Sequence, residues 1–391
     1  MKKLFLFILP IFSFSQTNTE VHLFDIVKNK NNQHSLVNGK NISNNKGYDS
    51  QPYFYDNNTL IFASSRDGQP DIAAYTFDSK SIKYINTTPN GGEYSPQRIP
   101  NSKDISAVRL DNDGKQRFYK YDFLTGRSTE LIKNLVVAYP LWYDENTLIS
   151  SVIVNDTLQL HISDLVTKSN IVIDKEVGRS LHKIPNTKLI SFTKKNKDRW
   201  ELWSLDPKTK VTKKIVGIGK NQDVCWLPNG TLLFSSQNMI LQYIPNSKEK
   251  EIGLFHMFND ENINNISRIM VNKEGTKIAL VAETSPRFLA QEQLEGYNKR
   301  DIEAFLKPYA KDVKVYTFPD QLDYTGIEEM RKRYSSFFKE TTDLHCAITK
   351  RIVKGNVVID EELVTANGGT FKAVAIYEIT NGKISSVRFL R

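Results

Sequence analysis

Cysteine is nearly absent: among 391 residues only Cys225 and Cys346 carry a thiol. A disulfide framework is excluded, and a single bridge between such distant positions is not expected. Cys225 lies in the strand-like run Asp223-Val224-Cys225-Trp226-Leu227 and reads as a small buried hydrophobe. Histidine is scarce too. His22, His34, His161, His182 and His256 show no metal-ligand spacing and no His-Glu-x-x-His, so neither a metal nor a cofactor is expected. A Gly-x-Ser-x-Gly elbow is missing, which excludes a peptidase propeller with a hydrolase attached. No apolar run reaches the roughly 18 residues of a membrane-spanning helix, so no membrane span is expected.

The N-terminus carries Lys2 and Lys3, an apolar stretch from Leu4 to Phe12, and Ser13 and Ser15 before Gln16. That order predicts a secretory signal peptide over residues 1–15, cleaved after a small residue. The expectation is therefore an exported protein, periplasmic or extracellular. With no cysteine at the cleavage site, a lipoprotein anchor is not available. The formal charge of +9 is basic. Export puts nucleic acid out of reach, which leaves an anionic envelope polymer or lipid headgroup as the matching partner. The lysines of Lys194-Lys195-Asn196-Lys197 and of Lys208 to Lys214 also read as charges that keep exposed strand edges from pairing.

Self-similarity dominates the first 285 residues. Tyr48 to Pro89 contains four short strand-like runs separated by turns, and the same order recurs from Tyr94-Ser95-Pro96 onward. Pro52, Pro96 and Pro140 stand 44 residues apart. Second strands recur at Thr147 to Val152, Lys188 to Thr193, Thr231 to Ser236 and Lys277 to Val281. The last copy lacks its third and fourth strands, and the front of the chain supplies them as Val21 to Ile26 and Ser35 to Val37. A four-strand unit of roughly 40–45 residues is the period of a β-propeller, and six copies predict six blades closed by joining the two ends.

The run Ser65-Arg66-Asp67-Gly68-Gln69-Pro70-Asp71-Ile72 resembles the TolB-type, WD40-like repeat. The resemblance extends over residues 20–285 and implies a rigid propeller offering a binding surface to an envelope protein or polysaccharide. Asp67-Gly68 has a direct reason, since a tight hairpin needs positive φ. Asp111-Asn112-Asp113-Gly114 looks like the start of a calcium loop but lacks the remaining ligands, and reads as a hairpin turn. Innermost strands line a propeller's channel, so Gln51, Gln97, His182 and Arg268 are candidate channel-facing groups.

At Ser285-Pro286-Arg287 the pattern turns helical. Leu289, Leu294, Tyr297, Ile302 and Phe305 predict a helix broken by a turn and resumed. Ile327, Met330, Tyr334, Phe337 and Phe338 predict a second long helix. A strand at Val313 to Phe318 and four more after Asp343 complete an α+β plan, with Asn381-Gly382 as a hairpin turn. Tyr297 to Phe305, Tyr309 to Val313 and the ending Ile376-Tyr377-Glu378-Ile379 are similar to SnoaL-type domains of the nuclear transport factor 2-like class, over residues 288–391. The fold class expected is thus an all-β six-bladed propeller followed by a cone-shaped α+β domain.

That resemblance implies an apolar cavity used by isomerases, cyclases and non-catalytic binding domains alike. Isomerases of the class use an acidic base, a Tyr and a protonated Asp. The base position here holds Thr317, the Tyr position Gln293 and the second-acid position Phe371 or Val374, which argues against ketosteroid isomerisation. Tyr297, Tyr316, His345, Glu361 and Tyr377 are the candidate pocket residues. An exported, non-catalytic binding or scaffold protein needs no missing residue; its C-terminal domain would hold a small apolar ligand or mediate dimerisation. The alternative, an isomerase or hydrolase in that domain, needs His345 and Glu361 to converge inside the cavity.

Overall fold

The computed structural model describes residues 18–28, 34–45, 47–245, 247, 251–260, 262–283, 285–380 and 382–390. Residues 1–15, expected to be a signal peptide, and Asn381, expected in a hairpin turn, lie outside them. The chain divides into two compact units, Asn18–Ser285 and, after it, Pro286–Arg391. Among the described residues no helix is long and apolar enough to cross a membrane.

The first unit holds six four-stranded antiparallel sheets, the blades of a propeller. The first complete blade runs outward as Asp49–Phe54, Thr59–Arg66, Gln69–Thr76 and Ser81–Tyr84. Four more follow in the same order, with innermost strands Gly91–Arg98, Val137–Trp142, Val177–Lys183 and Val224–Trp226. The last blade begins with Asn264–Val271 and Lys277–Glu283, and the front of the chain completes it with Thr19–Lys28 and His34–Asn41. Thr19 pairs with Glu283 and the register runs unbroken to Asp25 opposite Lys277, where Lys277 Nζ lies 2.5 Å from Asp25 Oδ1. This closure leaves no open sheet at the ring's seam.

Why the second and third strands read as almost continuous apolar runs follows from the packing. Leu60, Phe62, Ala73 and Tyr75 pack against Val21 and Val281 of the preceding blade. The alternate residues Ile61, Ile72 and Ala74 pack against Ile105, Ala107 and Tyr121 of the following one. Each blade is thus buried on both faces, and the core is a ring of interblade layers.

The Ser-Arg-Asp-Gly stretch is a rivet between blades. Asp67 (φ 53°) and Gly68 (φ 88°) form the left-handed hairpin turn. Arg66 donates to Asp71 Oδ2 at 2.8 Å and to the Asn86 carbonyl at 3.0 Å. Asn86 Nδ2 bridges Asp71 (2.9 Å) to Glu93 (2.7 Å) on the next blade, and Tyr121 donates to Glu93 at 2.9 Å. Burial pushes the Glu93 carboxyl up to about 7. At the calcium-like run, Arg117 takes both Asp111 (2.6 Å) and Asp113 (2.8 Å).

In the second unit, helix α1 (Pro286–Lys299) ends at Arg300, whose φ is 53°, and α2 (Ile302–Leu306) restarts under Asp301, which accepts from the Glu303 and Ala304 N–H groups. Gly296 permits the two helices to touch: a Cβ there would stand 2.3 Å from the Phe305 backbone nitrogen. Helix α3 (Ile327–Glu340) follows. The six-stranded sheet has the order Gln321–Thr325, Tyr309–Thr317, Lys383–Leu390, Gly369–Thr380, Val357–Ala366, His345–Lys354. Gln321–Thr325 was not expected from the sequence; it is an edge strand, mostly exposed, with no buried face to impose an apolar alternation. Phe305, Tyr334 and Phe338 form the centre of the core, with Phe305 and Tyr334 centroids 4.4 Å apart.

Candidate functional site

The innermost strands enclose a cavity of about 970 Å³ to which all six blades contribute. Gln51, Gln97, His182 and Arg268 all line it. Register against the second strands places them at two depths. Tyr53, Gln97, Leu141, His182, Cys225 and Met270 occupy one equivalent position, since each pairs with the second residue of the matching apolar run. Gln51, Ser95, Tyr139, Ser180, Asp223 and Arg268 lie two residues earlier in their strands, at the cavity's floor.

The floor is set by a local irregularity. Gln51 (φ 58°) and Ser95 (φ 51°) sit in β-bulges between Ser50 and Tyr53 and between Tyr94 and Gln97. A bulge re-aims the side chain that follows it. The prolines Pro52, Pro96 and Pro140 are tolerated because these strands are sheet edges with no further partner to receive an N–H. Gln51 Oε1 accepts from the Ser95 N–H at 2.8 Å, and Gln97 Nε2 donates to the Pro140 carbonyl at 2.7 Å, each lacing one blade to the next.

Opposite them lies a cluster that the sequence reading found only in part. Asp223 bridges Arg268, at 2.8 Å through Nη1, and Arg179, which forks onto Oδ2 with Nε at 3.0 Å and Nη2 closer still. Arg179 Nη2 also donates to the Ser267 carbonyl at 2.9 Å, and the Arg268 guanidinium stands 6.0 Å from the Tyr139 ring. Three consecutive blades supply the three charges. Arg179, Asp223 and Arg268 are separated by 44 and 45 residues, the same period as the prolines, and that spacing was the available signal. Burial pulls the His182 imidazole down to about 4, against the pull of nearby Asp223, so it is neutral at physiological pH. The lining carries five basic side chains, Arg98, Arg179, Lys183, Arg268 and Lys273, against the single acid Asp223.

The C-terminal candidates separate. Strand alternation turns Asp360, Glu362 and Val364 inward and Glu361 outward. His345 is exposed and pairs with Thr365, whereas Glu361 is exposed and pairs with Lys350. Four residue steps of strand, about 13 Å, separate Thr365 from Glu361. The convergence that the enzyme alternative requires is not formed, and the placing of His345 and Glu361 in the pocket is corrected: both are on the outer face, because a one-residue shift in a strand reverses the side. Tyr316 is likewise on the side opposite the buried Val315, with the Arg388 guanidinium 4.8 Å over its ring. Tyr297 packs into the aromatic core, edge-on to Phe338 at 5.6 Å.

Of the five, Tyr377 joins a buried polar chain. It donates to Glu362 at 3.2 Å, receives Gln293 Nε2 at 2.9 Å, and Tyr309 reaches Gln293 Oε1 at 3.4 Å. Burial drives both tyrosine hydroxyls well above their usual range, so they remain protonated donors. Beside this chain, Arg351 and Asp360 form a buried bidentate pair at 2.6 Å, and Arg351 also reaches Gln291 at 3.0 Å. The sequence reading placed Gln293 only as a departure from the isomerase pattern and did not single out Glu362, for which inward alternation with Val358, Asp360 and Val364 was the signal. Thr317 hydrogen-bonds Asp323 at 2.9 Å, Phe371 is exposed and Val374 half-buried. Burial also pushes the Cys346 thiol up to about 12, leaving it inert as a nucleophile.

Comparison with known proteins agrees with this division. Residues 290–387 match the model of the SnoaL-like domain family and form such a domain. The propeller has the TolB-type fold: a protein described as TolB from Agrobacterium tumefaciens superposes with a TM-score of 0.53 at 11% identity, covering 68% of this chain and 98% of that one. Two smaller structures match the C-terminal part. One is an uncharacterised cystatin-fold protein from Novosphingobium aromaticivorans (24% identity, 27% of this chain and 97% of that one, TM-score 0.26). The other is an NTF2-like protein of unknown function from Cytophaga hutchinsonii (20% identity, 27% and 88%, TM-score 0.24). No curated protein sequence matches the chain.

Proposed function

We propose that this is an exported, non-catalytic binding protein of the cell envelope whose propeller channel holds an anionic partner. The observation that carries the proposal is the charge of the cavity, five basic groups against one acid, with two guanidiniums at its floor. Low-dielectric walls focus such a field on whatever enters. Binding by the full chain to polygalacturonate, an acidic peptide and their neutral counterparts, measured for the native protein and for Arg268→Gln, tests this. The native protein should prefer the anionic probe of a pair, with affinity falling as salt rises, and Arg268→Gln should lose most of that preference. Equal binding of charged and neutral probes would contradict it.

For the C-terminal domain we propose dimerisation, in preference to an apolar ligand or an enzyme site. Its outer sheet face exposes Ile352, Leu363 and Leu390, beside the two charge signs of Lys350 and Glu361, a mixture suited to a self-complementary two-fold contact. Light scattering should give a dimer for the native chain and a monomer for Ile352→Asp with Leu390→Asp. A monomeric native chain at micromolar concentration would overturn this.

A further inference from the structure

We infer that the channel floor is a carboxylate-recognition subsite, and that its occupant is the C-terminal end of an extended polypeptide segment. The inference rests on the anion-binding reading above and names the ligand of that site.

The floor offers donors that no described residue accepts from. Among the described residues Arg268 commits only Nη1, to Asp223 and to the Ser267 carbonyl, which leaves Nε and Nη2. Arg179 commits Nε and Nη2, which leaves Nη1. Asp223 holds both guanidiniums in fixed orientation, and its side chain is only 6% exposed, so it does not compete for the ligand. With His182 neutral, the floor keeps one net positive charge, the complement of one carboxylate. Paired guanidinium N–H groups match the two oxygens of a carboxylate, and charge-assisted bonds of this kind are the strong ones.

The walls favour a peptide behind that carboxylate. Pro52, Pro96, Pro140, Leu141, Trp142 and Met270 give apolar surface between floor and mouth. Gln51 and Gln97 are engaged across the blades and do not form a continuous polar lining. A glycan presents hydroxyls at every sugar and would set many of them against apolar wall. An extended peptide instead alternates apolar side chains with backbone polar groups. From Arg268 to Val271 the strand rises about 10 Å, room for about three extended residues before the turn that carries Lys273. Lys183, Arg98 and Lys273 nearer the mouth add to the pull on an acidic tail.

The test uses the full chain and dye-labelled random pentapeptides, made once as free acids and once as C-terminal amides, with oligogalacturonate as a uronate probe. The free acids should bind at least roughly tenfold more tightly than the amides, the worth of one charge-assisted bond. Arg179→Lys keeps the charge but removes the fork, and should shrink the acid-to-amide ratio while leaving the salt dependence. The native-chain comparison stands alone if a variant fails to fold. Equal binding of acids and amides overturns the inference. So does oligogalacturonate binding without peptide binding, an outcome that leaves the anionic-channel reading intact. Binding by none of the probes overturns both.

Discussion

Replacing Asp223 by Asn should make the protein less stable and its channel a better anion binder at once. The carboxylate bridges two guanidiniums that are 14% and 26% exposed, and its removal leaves two like charges facing each other across the floor. Breaking a buried pair by removing one partner costs about 3–5 kcal/mol, and the partial exposure here points to the lower end, about 3 kcal/mol. For a unit of this size that is a fall of roughly 6–12 °C in Tm. Meanwhile a ligand carboxylate no longer meets the repulsion of Asp223, and its own charge replaces the missing one. Binding of an anionic probe should tighten by roughly tenfold, a gain of about 1.4 kcal/mol. Thermal denaturation with and without the probe measures both quantities, and the variant should show the larger ligand-induced Tm rise. A variant as stable as the native chain, or one that binds anions more weakly, would refute the assignment of Asp223 as the floor's counter-ion.

Glu93 gives a pH dependence of known sign. Its folded carboxyl stands at about 7, above the usual 4.5, so the native state keeps a proton that the unfolded chain releases between those values. Its contribution is full below pH 4.5 and lost as pH rises through 7, by up to about 3 kcal/mol. Glu93→Gln mimics the protonated form, so denaturant midpoints of native and variant should diverge from pH 5 to 8 in the variant's favour; parallel curves would contradict this. Gly296→Ala should destabilise the C-terminal domain by about 1–3 kcal/mol, because the new methyl meets the backbone of α2; urea denaturation without a change in that domain's midpoint would be the contrary result.

The propeller was legible because its period is written in punctuation. Prolines at 44-residue spacing, Asp67-Gly68 turns and doubly apolar second and third strands all follow from one geometry. The blade completed by Thr19–Lys28 was also readable, since a missing third strand at one end matched a surplus one at the other. The channel floor was half legible: Arg268 has the right position, but Arg179 and Asp223 acquire meaning only when three blades are brought together. In the C-terminal domain the elements were clear and the faces were not. Asp360-Glu361-Glu362 is a run of three acids, and nothing within it tells which one turns inward. Strand pairing decides that, placing Asp360 on Arg351 and Glu362 on Tyr377 while sending Glu361 to the surface.

The most direct test of the central claim is a crystal structure of the full chain with the free-acid pentapeptide that binds best. The account predicts the peptide in the propeller channel, its terminal carboxylate within hydrogen-bond distance of Arg179 Nη1 and Arg268 Nη2 and its length rising toward Lys273. A peptide bound on the blades' outer surface or in the C-terminal domain, with the floor arginines untouched, would contradict it.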